Sequence, residues 1–240
     1  FSVLFEGRLL SGSGSLREWG VSGDSVLDVI HYDFCTRQEL RELSDVWIHK
    51  WILHEKYGAF CLLSDSSFVA CFRDSTKMRM ANPHDRSFDY WTATSKATGA
   101  SCSRHSFDNV PHELLKKLRS MQKARKNFVY PRCIKSQMPL EPENRGVTHD
   151  HFVCDFLDHR WNIESDLVAV FHLSNSSVHV FFDDCTEMIF KGLQPEQLIH
   201  ADESGNLRRY TVSDMQYTEL SSKKAGLDAA LIQLGLNARQ

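Results

Sequence analysis

The stretches LSDSSFVACFRDSTKM at 63–78 and LSNSSVHVFFDDCTEM at 173–188 of this 240-residue sequence are copies of one another. Eight of the sixteen aligned positions are identical without a gap, and they include Leu, Phe, Asp, Thr and Met as well as Ser. Self-similarity of this kind indicates the duplication of one structural unit. We therefore expect two similar units in the chain.

The duplicated stretches have the pattern of β-hairpins. Turn-forming residues occur at 64–67 and 174–177, where Asp or Asn can bond to its own backbone. Apolar and β-branched runs flank both turns, and they predict strands at 59–63, 68–72, 167–173 and 178–182. A second turn in each copy, containing Asp74 or Asp184, leads into a third strand. Each copy is therefore predicted to begin as an antiparallel meander.

Each copy is predicted to end in a helix. After Pro111, the residues Leu114, Leu118 and Met121 recur at helical spacing, with Lys and Arg at most other positions between 116 and 126. Leu227, Ala230, Leu231 and Leu234 form the matching stripe in the second copy. A basic helix can bind phosphate, tubulin or nucleic acid, but we expect this one to present a solvated face. The fold class is therefore α+β, with two paired units.

Composition sets limits on function. The net charge of -3 provides no global field that would attract nucleic acid or a membrane. The chain has seven cysteines without a C-x-x-C pair, so we expect free thiols in a reducing compartment. His149, His151 and Cys154 are three metal-ligand types without a fourth, and we expect neither metal nor cofactor.

Strings in both copies resemble the polo-box family. The first copy carries Lys50-Trp51, Lys56-Tyr57-Gly58 and FRDSTK at 72–77. The second carries FHLSNSSV at 171–178 and FFDDCT at 181–186. The resemblance covers residues 45–236 and has both boxes in the order found in polo-like kinases.

The resemblance implies two polo boxes, each a six-stranded antiparallel sheet with a C-terminal helix, packed as a pair. Family members bind a partner peptide in the groove between the boxes and so target a serine/threonine kinase, or they restrain its kinase domain in cis. The fragment itself is expected not to be an enzyme, since it has no V-A-I-K, H-R-D or D-F-G string. The implied location is cytoplasmic, at the centrosome or basal body, the kinetochore or related mitotic structures of the cytoskeleton.

The resemblance also implies site residues. Family members hold a phosphoserine or phosphothreonine with the His and Lys of an H-T-K string, because a desolvated dianion needs charged donors. Here the string is Cys185-Thr186-Glu187, in which Cys185 and Glu187 are degenerate positions of the phosphate pincer. We therefore expect weak phosphate dependence. The implied peptide-binding residues are Lys50, Trp51, Tyr130, Arg132 and Lys135, and the alternative for Trp51 is burial in the core.

Residues 3–31 resemble the C-terminal half of a ubiquitin-like fold, through FEGRLL at 5–10, SLREWGV at 15–21 and DSVLDV at 24–29. Half a sheet cannot bury its own face. We therefore expect these strands to pair and to pack on the rest of the chain or on a second copy of it. The predicted domains are a partial ubiquitin-like or docking segment at 1–34, polo box 1 at 35–130, a linker at 131–150 and polo box 2 at 151–240.

The sequence is compatible with two alternative functions. The first is a non-catalytic docking module of a polo-like kinase, with partner proteins or peptides, phosphorylated or not, and the kinase domain of the same protein as its ligands. The alternative is a divergent polo-box scaffold or dimerisation module of a centriole, basal body or kinetochore protein, which includes the homodimer. The sequence that precedes Phe1 in the full-length protein would separate the two.

Overall fold

The structure is a computed structural model. It describes residues 2–5, 8–10, 27–30, 33–34, 38–40, 44–81, 86–92, 101–128, 134–138, 153–158, 167–191, 196–211 and 220–234. Four short strands precede the duplicated part: β1 Ser2–Phe5, β2 Arg8–Leu10, β3 Leu27–Ile30 and β4 Asp33–Phe34.

The first copy has six strands followed by a single 3-10 turn, His112–Leu114, and a helix. Its strands are β5 Ile48–His54, β6 Gly58–Leu63, β7 Phe68–Phe72, β8 Lys77–Met80, β9 Ser87–Trp91 and β10 Cys102–Ser106, and its helix is α1 Leu115–Asn127.

A two-residue strand, β11 Ile134–Lys135, lies between the copies. The second copy then repeats the pattern of the first. It comprises β12 Val153–Asp158, β13 Leu167–Leu173, β14 Ser177–Phe182, β15 Glu187–Lys191, β16 Gln197–Ala201, β17 Leu207–Thr211 and the helix α2 Ser221–Gln233.

The prediction of two six-stranded antiparallel meanders with C-terminal helices is confirmed. Each sheet also gains a seventh strand from outside its own copy. The first sheet has the order β10-β9-β8-β7-β6-β5-β11, and the second has the order β12-β13-β14-β15-β16-β17-β4. The sequence did not predict these additions, because a two-residue strand is too short to show a periodic pattern.

The duplicated turns share their backbone geometry as well as their sequence. Ser66 and Ser176 have φ of 67° and 66°, and Ser75 and Cys185 have φ of 63° and 64°. In the first turn of the second copy, Asn175 Oδ1 accepts hydrogen bonds from the backbone N (3.0 Å) and Oγ (2.6 Å) of Ser177. Asp65 accepts the equivalent pair in the first copy. The side-chain bond offsets part of the cost of the left-handed residue.

The second turn of each copy is also anchored to the helix of that copy. Lys117 Nζ lies 2.6 Å from Asp74 Oδ2, and Lys223 Nζ lies 2.5 Å from Asp184 Oδ2. Partial burial alone would raise the pKa of Asp74, but hydrogen bonds from Lys117 and Thr76 outweigh it, and the pKa is lowered. Asp184 shows the same balance. The expectation that both aspartates form turns is confirmed.

The two copies pack in four layers: helix, sheet, sheet, helix. Helix α1 and the two residues that flank it cover one face of the first sheet through Leu114, Leu118, Met121, Ala124 and Phe128. Helix α2 covers the outer face of the second sheet through Leu227, Ala230 and Leu231. The inner faces of both sheets meet in a shared core. Among the described residues, no helix is long and apolar enough to cross a membrane.

The N-terminal strands pair with one another, as predicted. They form a three-stranded antiparallel sheet in the order β2-β1-β3. The burial of their side chains and the ubiquitin-like resemblance lie outside what the described residues test. Strand β4 pairs instead with β17 of the second copy. The proposed domain boundaries stay predictions.

The bonds between the two lysines and the turn aspartates give a first testable prediction. Lys117→Met keeps the apolar stem but loses the bond to Asp74, and we expect a loss of about 1 kcal/mol in the free energy of unfolding. Lys223→Met should cost about 2 kcal/mol, because the Lys223 side chain is only 7% exposed. Lys116→Met, at an exposed neighbouring position, is the control and should change stability by less than about 0.5 kcal/mol. If all three changes had equal effects on urea unfolding, the stabilising role of the two lysine–aspartate bonds would be contradicted.

The lowered pKa values of Asp74 and Asp184 predict a dependence on pH. A carboxyl whose pKa is lower in the folded state stabilises the fold fully above its unfolded pKa of about 3.9. That contribution is lost as the pH falls through the folded-state pKa. We expect Asp74→Asn with Asp184→Asn, which keeps the turn acceptor as Asn175 does, to flatten the fall in unfolding free energy between about pH 5 and about pH 3. Urea unfolding of both proteins at a series of acidic pH values measures this fall. An equally steep fall in the variant and the unaltered chain would contradict the prediction.

Candidate functional site

Five of the seven predicted site residues lie in described parts of the chain. Lys50 and Trp51 are on β5, and Lys135 is on β11 directly opposite Lys50. Glu187 begins β15, and Cys185 lies in the turn before it. Tyr130 and Arg132 lie outside the described residues.

Trp51 lies in the shared core between the copies. Its side chain is fully buried, and its ring centroid is 5.3 Å from those of both Phe171 and Phe181. Edge-to-face and tilted contacts of this kind are favourable beyond the area that they bury. The structure therefore places Trp51 in the interface that joins the copies, which was the alternative to a groove position. Its contact with a peptide stays a prediction.

Glu187 is a buried carboxylate at the same junction, with 1% of its surface exposed. Its Oε2 accepts hydrogen bonds from His179 Nε2 (2.9 Å) and Ser136 Oγ (2.6 Å). The backbone N–H of Gln137 donates to Oε1. A buried charge is tolerated only when hydrogen bonds compensate it, and three donors do so here.

The tautomer of His179 follows from its partners. The backbone N–H of Ile48 donates to His179 Nδ1 at 3.2 Å, so that nitrogen carries no proton. The proton must then be on Nε2, which donates to Glu187. The His179 ring therefore links β5 of the first copy to the carboxylate of the second.

The two pincer positions do not come together in one pocket. Glu187 points into the junction, whereas Cys185 is exposed at a left-handed turn position. A buried carboxylate at 187 would repel a phosphate dianion, and a thiol is a weak donor. The chemistry at Glu187 instead suits neutral donors, namely a hydroxyl group and a backbone amide. The phosphate-related roles of both residues stay predictions.

Two of the three donors to Glu187, the Ser136 hydroxyl and the Gln137 amide, come from the linker segment, which we define as residues 134–138. Its strand β11 pairs with Lys50 and Trp51 of β5, which is the outermost of the first copy's own six strands on that side. The Ser136 amide continues this pairing by donating to the His49 carbonyl at 2.8 Å. Within the predicted linker at 131–150, residues 134 and 135 thus form a strand of the first sheet.

Met138 anchors the far end of the linker segment. Its side chain is 1% exposed and packs in a cluster on the inner face of the second sheet. The other members of that cluster are Leu40, Trp47, Ile189, Ile199, Ala201 and Leu207. Gly205, with φ of 80°, lies against the same segment, since a Cβ there would be 3.3 Å from the Gln137 carbonyl oxygen.

A second contact joins the two copies, between the first turn of the second copy and residues 44 and 45. Asn175 Nδ2 donates to Asp45 Oδ1 at 2.6 Å and to Ser44 Oγ at 3.2 Å. The equivalent residue of the first copy, Asp65, has no amide hydrogen to donate. The one-residue difference between the duplicated turns therefore has a structural use.

The basic face of α1 points away from the core. Lys116, Arg119, Lys123 and Lys126 are exposed there, as a solvated helix face requires. Among the residues whose side chains the structure describes, no group of three or more His, Cys, Asp or Glu could hold a metal ion. The side chains of His149, His151 and Cys154 are outside that part.

Sequence reasoning missed His179, Ser136 and Gln137. His179 interrupts the otherwise apolar run VHVFF, and a polar group buried in such a strand must find a hydrogen-bond partner. That signal could have pointed to Glu187, which lies on the neighbouring strand two residues from Ile189, the residue opposite His179. The two linker residues carry no comparable signal.

The geometry predicts that Glu187 stabilises the junction. Glu187→Gln replaces one acceptor oxygen by an NH2 group, which cannot accept from Ser136, His179 or the Gln137 amide. We expect the free energy of unfolding to fall by about 1–3 kcal/mol, the cost of leaving a buried donor unpaired. Glu196→Gln, at an exposed position, is the matched control and should have little effect. An unchanged urea midpoint for Glu187→Gln would refute the network.

Comparisons with known proteins agree with this architecture. A family model described as the POLO box duplicated region matches residues 55–118 and 168–224, which is just over half of the chain. Among solved structures, the budding yeast Cdc5 polo-box domain in complex with an Spc72 phosphopeptide has a TM-score of 0.56 at 18% identity, over 80% of this chain and 70% of that one.

Two further budding yeast structures are similar. The Cdc5 polo-box domain in complex with the Dbf4 polo-interacting region has a TM-score of 0.55 at 16% identity, over 81% of this chain and 75% of that one. Another structure of the Cdc5 polo-box domain has a TM-score of 0.54 at 17% identity, over 92% and 83%. At these identities the likeness shows a shared fold.

Proposed function

Because the chain belongs to the polo-box family, we propose that it is a non-catalytic docking module that binds extended segments of partner proteins at the junction of its two boxes. One observation carries the proposal: the edge of β5, at that junction, accepts an extended segment through backbone pairing. Addition of a strand to a free sheet edge is a common mode of peptide recognition. The side chains around the edge then provide specificity.

The proposed docking does not depend on phosphate. Cdc5 binds a phosphopeptide from Spc72 and a region of Dbf4 through the same fold. In this chain the carboxylate of Glu187 is at the junction and is already compensated by neutral donors. A phosphate placed there would meet a like charge in a site with little water, which is strongly unfavourable.

We extend the proposal to the whole protein. The module would belong to a serine/threonine polo-like kinase, would target that kinase to centrosomal, basal-body or kinetochore structures in mitosis, and would restrain the kinase domain in cis. Family membership supports this reading, because docking domains of this family serve kinases.

A peptide array tests the docking function. Each spot pair carries the same peptide with Ser or with phosphoserine at its centre, and the labelled domain is applied to both. We expect binding to a subset of sequences, and we expect no phosphorylated form to bind more than about threefold tighter than its unmodified partner, because charged hydrogen bonds to phosphate worth about 1.5–3 kcal/mol are missing.

The budding yeast Cdc5 polo-box domain is the positive control for phosphopeptides on the same array. If this chain prefers the phosphorylated member of most pairs tenfold or more, cations other than the pincer positions hold the phosphate and the proposal is wrong. Absence of binding to every spot would count against docking itself.

A further inference from the structure

We infer that the linker segment is an intramolecular ligand of the docking edge, and that external partners compete with it by presenting the same chemistry. The inference rests on the proposed docking function and adds to it the kind of segment that binds and the way in which binding is controlled. It is carried by the contacts of residues 134–138.

The linker segment is bound as a separate peptide would be. Ile134 and Lys135 contribute backbone pairing with β5 while their side chains remain exposed. Ser136 is 2% exposed and gives its hydroxyl to Glu187. Met138 is 1% exposed and fills the apolar cluster beside it. Two side chains are thus recognised, and the others are not.

This division defines the chemistry of an external ligand. The ligand is extended, carries an unmodified Ser or Thr where the chain has Ser136, and has a long apolar residue two positions later. The hydroxyl must donate, because Glu187 only accepts. A phosphoserine at that position would bring negative charge against Glu187 in a buried site. Phosphorylation of the partner should therefore prevent binding.

The pairing of the linker segment with the sheet is limited. Strand β6 pairs with β5 from Ile48 to His54 with one register shift, whereas β11 pairs only with Lys50 and Trp51 and the Ser136 amide adds one bond to His49. Short strands with few shared contacts open locally at lower free energy than the core of a sheet. The segment can therefore leave while both boxes stay folded, and the edge of β5 then becomes available.

The experiment uses the linker's own sequence as the probe. A fluorescein-labelled peptide IKSQMPL, residues 134–140, is titrated into the 240-residue chain and into the variant Ser136→Ala/Met138→Ser, and binding is followed by anisotropy. We expect at least about tenfold tighter binding to the variant, because its own segment no longer holds the site. The control variant Ser222→Ala/Ile232→Ser makes the same kinds of change at exposed positions of α2 and should behave as the unaltered chain.

Changes in the peptide test the specificity. Replacing its serine by phosphoserine, or its methionine by serine, should weaken binding to the variant at least about tenfold, whereas replacing its glutamine by alanine should not. Equal binding of the peptide to the variant and the unaltered chain, or no loss with phosphoserine, overturns the inference.

Two further measurements cover the remaining outcomes. Hydrogen exchange on the unaltered chain should show the Ser136 and Gln137 amides exchanging at least about tenfold faster than those of β7, and equal protection would overturn the inference even if the variant failed to fold.

Array peptides that bind the variant and the unaltered chain equally would also overturn it and leave the docking function intact. If IKSQMPL binds the variant but no array peptide binds either protein, the docking function fails and the intramolecular occupancy stands.

Discussion

Each sheet of this protein has two apolar faces, but its own helix covers only one of them. Strand β7 is buried along its entire length, and so is β14, because both sides of each sheet must be covered. Most of the second face is covered by the other copy, through rings such as Trp51, Phe171 and Phe181. A single copy would leave the apolar inner face of its sheet exposed to water, so the pairing of the two copies stabilises both.

The first sheet does not cover the whole inner face of the second. The site around Glu187 lies at the boundary of the uncovered part. Leu40, Trp47 and Met138 come from connecting segments and cover the part around Ile189 and Ile199. Polar groups trapped at the boundary must then satisfy one another, and His179, Glu187 and Ser136 do so. The connecting segments are thus part of the interface between the copies. The edge of β5, with which β11 pairs, lies at the same interface.

The repeat predicted the meanders, both helices and the turn role of Asp74 and Asp184, because local residue chemistry determines these features. That position 187 does not hold phosphate stays a prediction. The sequence could not predict that Ser136 and the Gln137 amide would meet Glu187, since that contact joins residues about fifty positions apart. Nor could it decide whether Trp51 faces a ligand or the core, because an apolar side chain at a sheet edge suits both environments.

The bonds between Glu187 and the linker make the two mutually dependent in evolution. A lysine at position 187 would place an ammonium group against the Gln137 amide and the His179 Nε2–H, all of them donors. The change would be tolerated only after the 136–137 segment had moved, and that segment would have no reason to move while the carboxylate was present. Neighbours that share partners in this way do not have additive effects. A lysine therefore cannot enter this junction by a single substitution, and the course of the linker backbone favours keeping the carboxylate at position 187.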